Sequence, residues 1–593
     1  MISKPPLGRH PTVPRRVLTL ACAALLSIFL LPAVVAQADT SSTLTVVGTS
    51  DVSDSGLMPT LIQPEFHAAY PQFTFSYTGT NTFHAIQLAE TGTGGGPSVL
   101  IVHAASLENQ FVASGYSYNN QYGYAIFRND FVLAGSVVDP AGVSVNAPNN
   151  IVQAFEDVAT KGYNGGGTPL ASFVARDSGS GTSVAEHAIW ALVGQQPTQP
   201  PGLLLCTVPA AIGAGETPIA PGHGVTTDGQ ACPGGGNDGL PPNADFPAWY
   251  IGTTLDQGPT VLAANACTFA SPANSCYVFT DRGTFDYLSS GLDPAGTIPN
   301  LSILVRNNSS TAPGGADQLI NYFHAYIINP SAPCNGCETV NLTAAKDFVA
   351  FLTSPYLQSQ LSSYQDGSPP DNDGAGAPFV ADASPIITEA GIPKSDPAGK
   401  AVTVTGSVTN AEPGYPVLAG KTVEVDEIEA GIPVAIASGT TSSTGTYSVK
   451  FVPPADGLYQ VSTPQISQVE NTTLSPQYGD ILSPGASASV QLTGLPSSRA
   501  VSFSKVTVKK GKLKVTGTLK PPPSAKGAKV ELLALRGTGG KLKEIAHTSV
   551  GVSKSTFTIK TKLKRGSRWF LQLEYVQKGQ TSTYSKLSSI LVH

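Results

Sequence analysis

Helical periodicity ends near Pro385, and that change of pattern constrains the fold more than any other feature of the 593-residue chain. Before it, short apolar runs at 44–47, 73–77, 99–102, 130–134 and 325–328 alternate with helix-spaced segments, one of them beginning near Leu57 after a loop reading GTSDVSDSG. A four-residue all-apolar run such as VLIV at 99–102 is typical of a strand buried on both faces. Further helical spacing covers 344–352 and 354–361, with a break at Pro355. Strands interleaved with helices over this length predict an α/β fold with parallel sheets. After Pro385 only short Val/Thr-rich strands remain, separated by Gly/Pro turns.

That second region reads as an internal repeat. AVTVTGSV, GKTVEVDEI, STGTYSVKF and GLYQVST are answered in order by LKVTGTL, GAKVELLAL, SKSTFTIKTKL and RWFLQLEY. Each half has the length and strand spacing of one all-β sandwich, and the two resemble bacterial immunoglobulin-like modules. We expect the modules at 384–497 and 498–593, after an α/β domain at 39–383. Within the α/β region, 195–248 dissolves into Pro, Gly and polar residues and reads as a surface insertion.

The first 38 residues read as an export signal. Lys4, Arg9, Arg15 and Arg16 precede an apolar stretch that ends at Ala36-Gln37-Ala38, a small-residue cleavage site. Arg15-Arg16 leaves the twin-arginine route open beside the general one. The expected location is extracellular or envelope-associated, and periplasmic where an outer membrane exists. Cysteine use agrees with export, since six cysteines remain beyond the leader: Cys206, Cys232, Cys267, Cys276, Cys334 and Cys337. Neighbours in sequence suggest 206–232, 267–276 and 334–337, though six cysteines allow fifteen pairings. No second Cys or His pair lies at zinc-finger spacing from Cys334 and Cys337, so neither metal nor cofactor is expected.

Charge is distributed unevenly. Residues 501–593 hold 16 Lys and 3 Arg against 3 acidic residues, a net +16, so the remainder carries −22 of the total −6. A basic terminal region on an acidic body suggests contact with a polyanion. An anionic cell-envelope polymer is the expected partner, nucleic acid is not, and a plain solubilising face is the alternative. Lys505, Lys509, Lys510, Lys512 and Lys514 form one cluster, and Lys560, Lys562, Lys564, Arg565 and Arg568 the other. Both clusters alternate with apolar or Thr residues, which places the charges on one face of strands.

The chemistry-bearing stretch is RDSGSGTSVAEHAIW at 176–190. A Gly/Ser-rich turn opening an apolar-periodic helix leaves backbone N–H groups free, and Arg176 adds a guanidinium. It reads either as an oxyanion socket or as an ordinary capped helix. No G-x-S-x-G elbow or metal-spaced histidine pair is present, so a hydrolase has no support. His103, ending the VLIV strand, reads as a structural histidine.

The order of motifs resembles the tungstate-binding proteins of ABC importers, within the type II periplasmic-binding fold that also includes phosphate binders. The matching pieces are DSGL (54–57), VLIVHA (99–104), FVASGY (111–116), NDFVLAGSVVDPAG (129–142), Arg176, SGT (180–182), EHAIW (186–190), TDRGTF (280–285) and FLTSP (351–355). The resemblance covers about three fifths of the chain and implies two α/β lobes, split near Asn129 and Tyr322, that close on a small tetrahedral oxyanion without catalysis. It further implies delivery to an ABC permease. Tungstate, molybdate and phosphate are the candidate ligands. Carried over residue by residue, the ligand set is Thr49 and Ser50 with Arg176, Ser180, Gly181 and Thr182.

Two positions depart from the family pattern. Asp51 stands where a serine is expected, and Ser98 replaces an acidic residue. A carboxylate in the cleft repels an unprotonated dianion, whereas monohydrogen phosphate can donate a hydrogen bond to it. Asp51 therefore either selects a protonated anion or weakens tungstate binding, unless it points to solvent or caps the next helix. The alternative function is an adhesive or scaffold protein whose binding domain has degenerated. Asp281 and Arg282 read as an internal ion pair or cap.

Overall fold

The computed structural model describes residues 42–592 except 177–178, 201–202, 209–221, 227–245, 269–274, 366–375, 395–400, 413–416, 430, 454–456, 472–476, 493–499, 510, 521–528, 539–540, 552–555, 564–566, 577–582 and 586–587. The expected export signal lies outside the described residues. No described helix is long and apolar enough to cross a membrane.

Strands β1 (Thr43–Thr49), β2 (Thr74–Thr80), β3 (Val99–Val102), β4 (Gly123–Ser136), β5 (Ser172–Ala175), β6 (Leu204–Val208), β7 (Gly222–Thr226), β8 (Tyr250–Gly252), β9 (Cys276–Asp281), β10 (Leu301–Val305) and β11 (Ile320–Ile327) build the α/β region. Helices α1 (Ser50–Asp54), α2 (Gln63–Ala69), α3 (Thr82–Thr91), α4 (Ala105–Ala113), α5 (Val143–Asn146), α6 (Ile151–Tyr163), α7 (Gly181–Gly194), α8 (Gln257–Ala266), α9 (Arg282–Ser289), α10 (Leu342–Leu352) and α11 (Pro355–Leu361) pack beside them.

The sheet runs β2-β1-β3-β11-β4-β9-β5-β8, with β10 also on β4. It is mixed, which corrects the expectation of parallel sheets. The β1–β2, β1–β3, β5–β8 and β5–β9 pairs are parallel, but β11 runs antiparallel to β3 and β4, and β4 antiparallel to β9. The cause lies in β4, a 14-residue strand that serves two lobes. Its first part pairs with β11 as far as Asp130, and from Phe131 it pairs with β9. A strand that returns between lobes cannot keep the direction of both.

Each lobe has its own aromatic core. Phe66, Phe127, Phe323 and Phe348 fill the first, and Phe155, Phe173, Trp190 and Phe279 the second. Burying one such ring is worth roughly 1.5–3 kcal/mol, so these clusters hold each lobe as a unit. Two local expectations change. The GTSDVSDSG stretch contains α1, and a wide π-type turn at Met58–Ile62 precedes α2, so helical structure starts before Leu57. Pro355 does not break a helix but opens α11, where its missing N–H costs nothing; Ser354 caps that helix by accepting from the Leu357 N–H at 3.2 Å.

Part of the 195–248 insertion is ordered as the antiparallel β6–β7 hairpin. Cys267–Cys276 and Cys334–Cys337 form disulfides, while Cys232 and the side chain of Cys206 lie outside the described residues.

The C-terminal part consists of small antiparallel sheets in two sets with one strand order. In the first, Val402–Thr409 lies between Ile386–Ile387 and Thr446–Phe451, facing a sheet centred on Thr422–Glu429 and Gly457–Thr463. In the second, Lys512–Lys520 lies between Ala500–Lys509 and Thr556–Lys562, facing Lys529–Thr538 and Ser567–Val576. The repeat read from sequence is thus present in topology. The first set also reaches into the binding region: the Ile466–Asn471 and Tyr478–Leu482 hairpin pairs in parallel with β4 at Gly123 and Tyr124.

Candidate functional site

Residues at the carboxyl ends of parallel strands converge between the two lobes, the usual crevice of an open α/β sheet. Thr49 ends β1, His103 follows β3 and Arg176 follows β5. Gly48 permits the approach, because a Cβ there would sit 2.7 Å from the Ile101 carbonyl oxygen on β3.

Asp51 is fully buried in the first turn of α1 and faces the crevice, which excludes the solvent-facing reading. Its Oδ1 accepts from Arg176 Nη1 at 2.5 Å and from Thr49 Oγ1 at 3.1 Å. Its Oδ2 lies 2.8 Å from His103 Nε2, which is also 3.2 Å from Thr49 Oγ1. Burial pushes the Asp51 carboxyl up, but the Arg176 guanidinium and His103 together outweigh it and hold the group well below the usual carboxylate range. Asp51 is therefore an anion at any ordinary pH.

Arg176 is 3% exposed and bridges the lobes. Besides Asp51, it donates through Nη2 to Ser50 Oγ at 2.8 Å and through Nη1 to Thr182 Oγ1 at 3.0 Å and Gln257 Oε1 at 2.7 Å. Thr182 Oγ1 donates to Gln257 Oε1 at 2.7 Å, and the Gln257 side-chain amide donates to Thr280 Oγ1 at 2.5 Å. Backbone contacts add to the closure, among them Gln257 N–H to Ser50 Oγ at 3.3 Å and Phe83 N–H to the Gly179 carbonyl at 3.0 Å. Gly181 N–H donates to Thr82 Oγ1 at 3.1 Å, and Gly258 N–H to Asp54 Oδ2 at 2.8 Å. A Cβ on Gly181 would strike the His103 ring, so glycine is required for the lobes to meet this closely.

Of the seven residues named from sequence, Thr49, Ser50, Asp51, Arg176 and Thr182 form one hydrogen-bonded group. Ser180 and Gly181 stand beside it with their polar groups otherwise engaged: Ser180 Oγ caps α7 by accepting from Ser183 N–H at 3.0 Å. His103, expected to be structural, packs into the group through Asp51 and Thr49, and two residues not marked by the sequence, Gln257 and Thr280, join it from the second lobe. Their placement after strands β3 and β8 and at the end of β9 was the available signal.

Asp54, half-buried, and Asp281, buried, carry carboxylates near the group. Burial raises Asp54 to about 6 against the Gly258 N–H that favours its charge, and raises Asp281 to about 8 with help from the Asp51 charge. Asp281 caps α9 through Thr284 N–H at 2.9 Å, while Arg282 pairs with Asp130 at 2.9 Å, so these two are not each other's partners. On α7, burial lifts Glu186 to about 7, although Tyr250 Oη and Trp190 Nε1 donate to it at 2.6 and 3.0 Å.

A profile of the PBP superfamily domain matches residues 33–356. A Haloferax volcanii protein assigned as an ABC transporter anion-binding protein is 26% identical over 321 residues, 54% of this chain and 68% of that one. The tungstate-binding protein TupA of Peptoclostridium acidaminophilum is 27% identical over 316 residues, covering 53% and 79%. Among solved structures, the Azotobacter vinelandii periplasmic molybdate-binding protein aligns over 53% of this chain and 95% of its own, at 10% identity and a TM-score of 0.28.

Proposed function

The chain belongs to the PBP superfamily, a family of solute-binding rather than catalytic proteins, and from that premise we propose that it is an exported binding protein for a small tetrahedral oxyanion. Tungstate, molybdate and phosphate are the ligands considered, with an ABC permease as recipient. The observation that carries this reading is the convergence of Arg176, Ser50 and Thr182 on one buried point from two lobes. A desolvated oxyanion needs several donors and little excess charge, and one guanidinium among hydroxyls and amides supplies that. Capture proceeds by lobe closure about β4, with no bond made or broken.

The domain scheme that accompanies this reading is an α/β binding domain at 39–383 followed by immunoglobulin-like modules at 384–497 and 498–593. Identical strand order in the two terminal sets supports the pairing of modules.

Asp51 decides which anion fits. An unprotonated dianion must displace this carboxylate from Arg176, whereas a protonated oxyanion can donate to it. The same contact favours a second reading: a domain closed on its own Asp51–Arg176 pair can serve as a scaffold that holds no anion. Calorimetric titration with tungstate, molybdate, sulfate and phosphate tests both. Binding that is lost in Arg176→Ala supports the binding protein. No heat with any of the four supports the scaffold.

A further inference from the structure

The second C-terminal set carries a basic face whose charges oppose one another directly. Lys509 pairs with Lys512, and Lys512 with Lys562; Lys514 pairs with Lys560. Lys505 lies opposite Thr516 on the same face, and Thr507 opposite Lys514. Lys505, Lys509, Lys512, Lys514, Lys560 and Lys562 are all exposed, while Leu513, Val515, Phe557 and Ile559 between them point into the core. Like charges directly opposite in a sheet destabilise it, and no acidic residue occurs in these three strands to offset them. A fold that keeps this arrangement gains nothing from it internally. Lys510, Lys564 and Arg565 lie outside the described residues, and Arg568 stands in a strand of the facing sheet.

The chemistry of the face identifies its partner. Lysines two apart on a strand are roughly 7 Å apart and neighbouring strands about 4.8 Å, so three strands make a strip about 10 Å wide. That width suits a single linear chain. Lysines are point charges without the fork of arginine, which suits a charge that recurs along a polymer more than one oriented group. An exposed hydroxyl lies beside them in Thr558, two residues from Lys560, while Thr507 and Thr516 turn theirs onto the Lys514 and Lys505 carbonyl oxygens at 3.3 and 3.2 Å. A phosphodiester, with one charge and two free oxygens, is satisfied by one ammonium and one hydroxyl. The described outward positions of Lys512–Lys520 and Thr556–Lys562 are Lys and Thr alone, so the face offers neither an apolar wedge for a bilayer nor an aromatic platform for bases.

We propose that this face binds a linear phosphodiester-linked polymer of the cell envelope and holds the protein there. The test uses the full exported chain with poly(glycerol phosphate), and phosphatidylglycerol vesicles, polygalacturonate and single-stranded DNA as competitors. One variant replaces Lys512, Lys514, Lys560 and Lys562 by Gln; a charge-matched control replaces Lys161, Lys394, Lys450 and Lys529. The face variant is expected to lose at least tenfold in affinity, with the salt dependence flattened by roughly 0.7 in slope per lysine removed. The control should stay within about twofold, and the face variant should melt no lower than wild type because repulsion has been relieved. Equal losses in both variants would reduce the effect to net charge and overturn the proposal. So would a competitor that binds as tightly as the polymer, or a face variant that melts lower.

Discussion

Replacing Asp51 by Asn should move the affinities for two anions in opposite directions. The exchange keeps the shape of a side chain that touches Arg176 at 2.5 Å and His103 at 2.8 Å, and removes only its charge. For monohydrogen phosphate, the variant loses a charged acceptor for the anion's own proton. A hydrogen bond to a charged group is worth about 1.5–3 kcal/mol, so binding should weaken about 10- to 100-fold. For tungstate or molybdate, the variant removes a negative charge from the point where a second negative charge must sit. Two unit charges 4 Å apart repel by about 4 kcal/mol at an effective dielectric near 20. If half of that survives relaxation, about 2 kcal/mol, affinity rises about 30-fold. Arg176 and His103 hold the Asp51 carboxyl well below the usual carboxylate range, so titration calorimetry at pH 7 reads both arms with the carboxylate charged. A change of the same sign for both anions would refute the reasoning, because Asp51 would then act only by holding its loop.

Other perturbations test the surroundings. Arg176→Ala leaves Asp51 buried with only His103 and the Thr49 hydroxyl beside it and should cost about 3–5 kcal/mol in chemical denaturation, besides abolishing anion binding. Glu186→Gln should stabilise the protein at pH 8 but not at pH 4: the folded carboxyl is raised from 4.5 to about 7, so native stability falls as pH climbs through that interval. At about 1.4 kcal/mol per pH unit the whole effect is about 3 kcal/mol, read from melting temperature against pH. His324 lies 3.0 Å from Glu108 and 3.4 Å from Glu412 of the first C-terminal set. Burial lowers its basicity, but these two carboxylates outweigh that and raise it well above 6.5. Its stabilising contribution is thus complete below pH 6.5 and is lost as pH rises through the elevated value. His324→Gln should accordingly destabilise most at pH 6, with the gap to wild type closing in alkali. Gly181→Ala should hold the lobes apart, seen as a larger radius of gyration in small-angle scattering with anion present.

What could be read from the chain divides by physical range. Arg176 and Thr182 were legible because a Gly/Ser turn before an apolar-periodic helix is a local pattern with a local cause. The α/β character and the terminal repeat were legible for the same reason. The direction of β4 was not, because antiparallel pairing to β11 and β9 depends on strands about 150 to 190 residues away. Gln257 was hidden in Asp256-Gln257-Gly258-Pro259, which reads as a turn, and only the folded chain brings its amide to Arg176. His103 reads as structural by the same logic. A histidine after VLIV is ordinary in a core, and its meaning comes from facing Asp51 across 2.8 Å.

One rule would have recovered both. Thr49, His103, Arg176 and Gln257 all lie at, or within five residues of, the carboxyl ends of β1, β3, β5 and β8, where an open sheet gathers its ligand contacts. Applied before any family pattern, it singles out Asp51 and His103 together. It also bears on how the crevice opens. The Tyr478–Leu482 strand joins β4 at Gly123 and Tyr124, on the first-lobe side of the Asp130–Phe131 crossover, and Glu412 lies 3.4 Å from His324 on the first-lobe part of β11. The first C-terminal set must therefore travel with the first lobe. On the proposed closure mechanism the second lobe swings away on β4 and β11, and the contacts to break include those of Arg176, Gly181 and Gly258 together with Gln257 N–H to Ser50 Oγ at 3.3 Å and Phe83 N–H to the Gly179 carbonyl at 3.0 Å. Of these only the Asp51–Arg176 contact carries full charges on both sides, so it sets how readily the closed state opens.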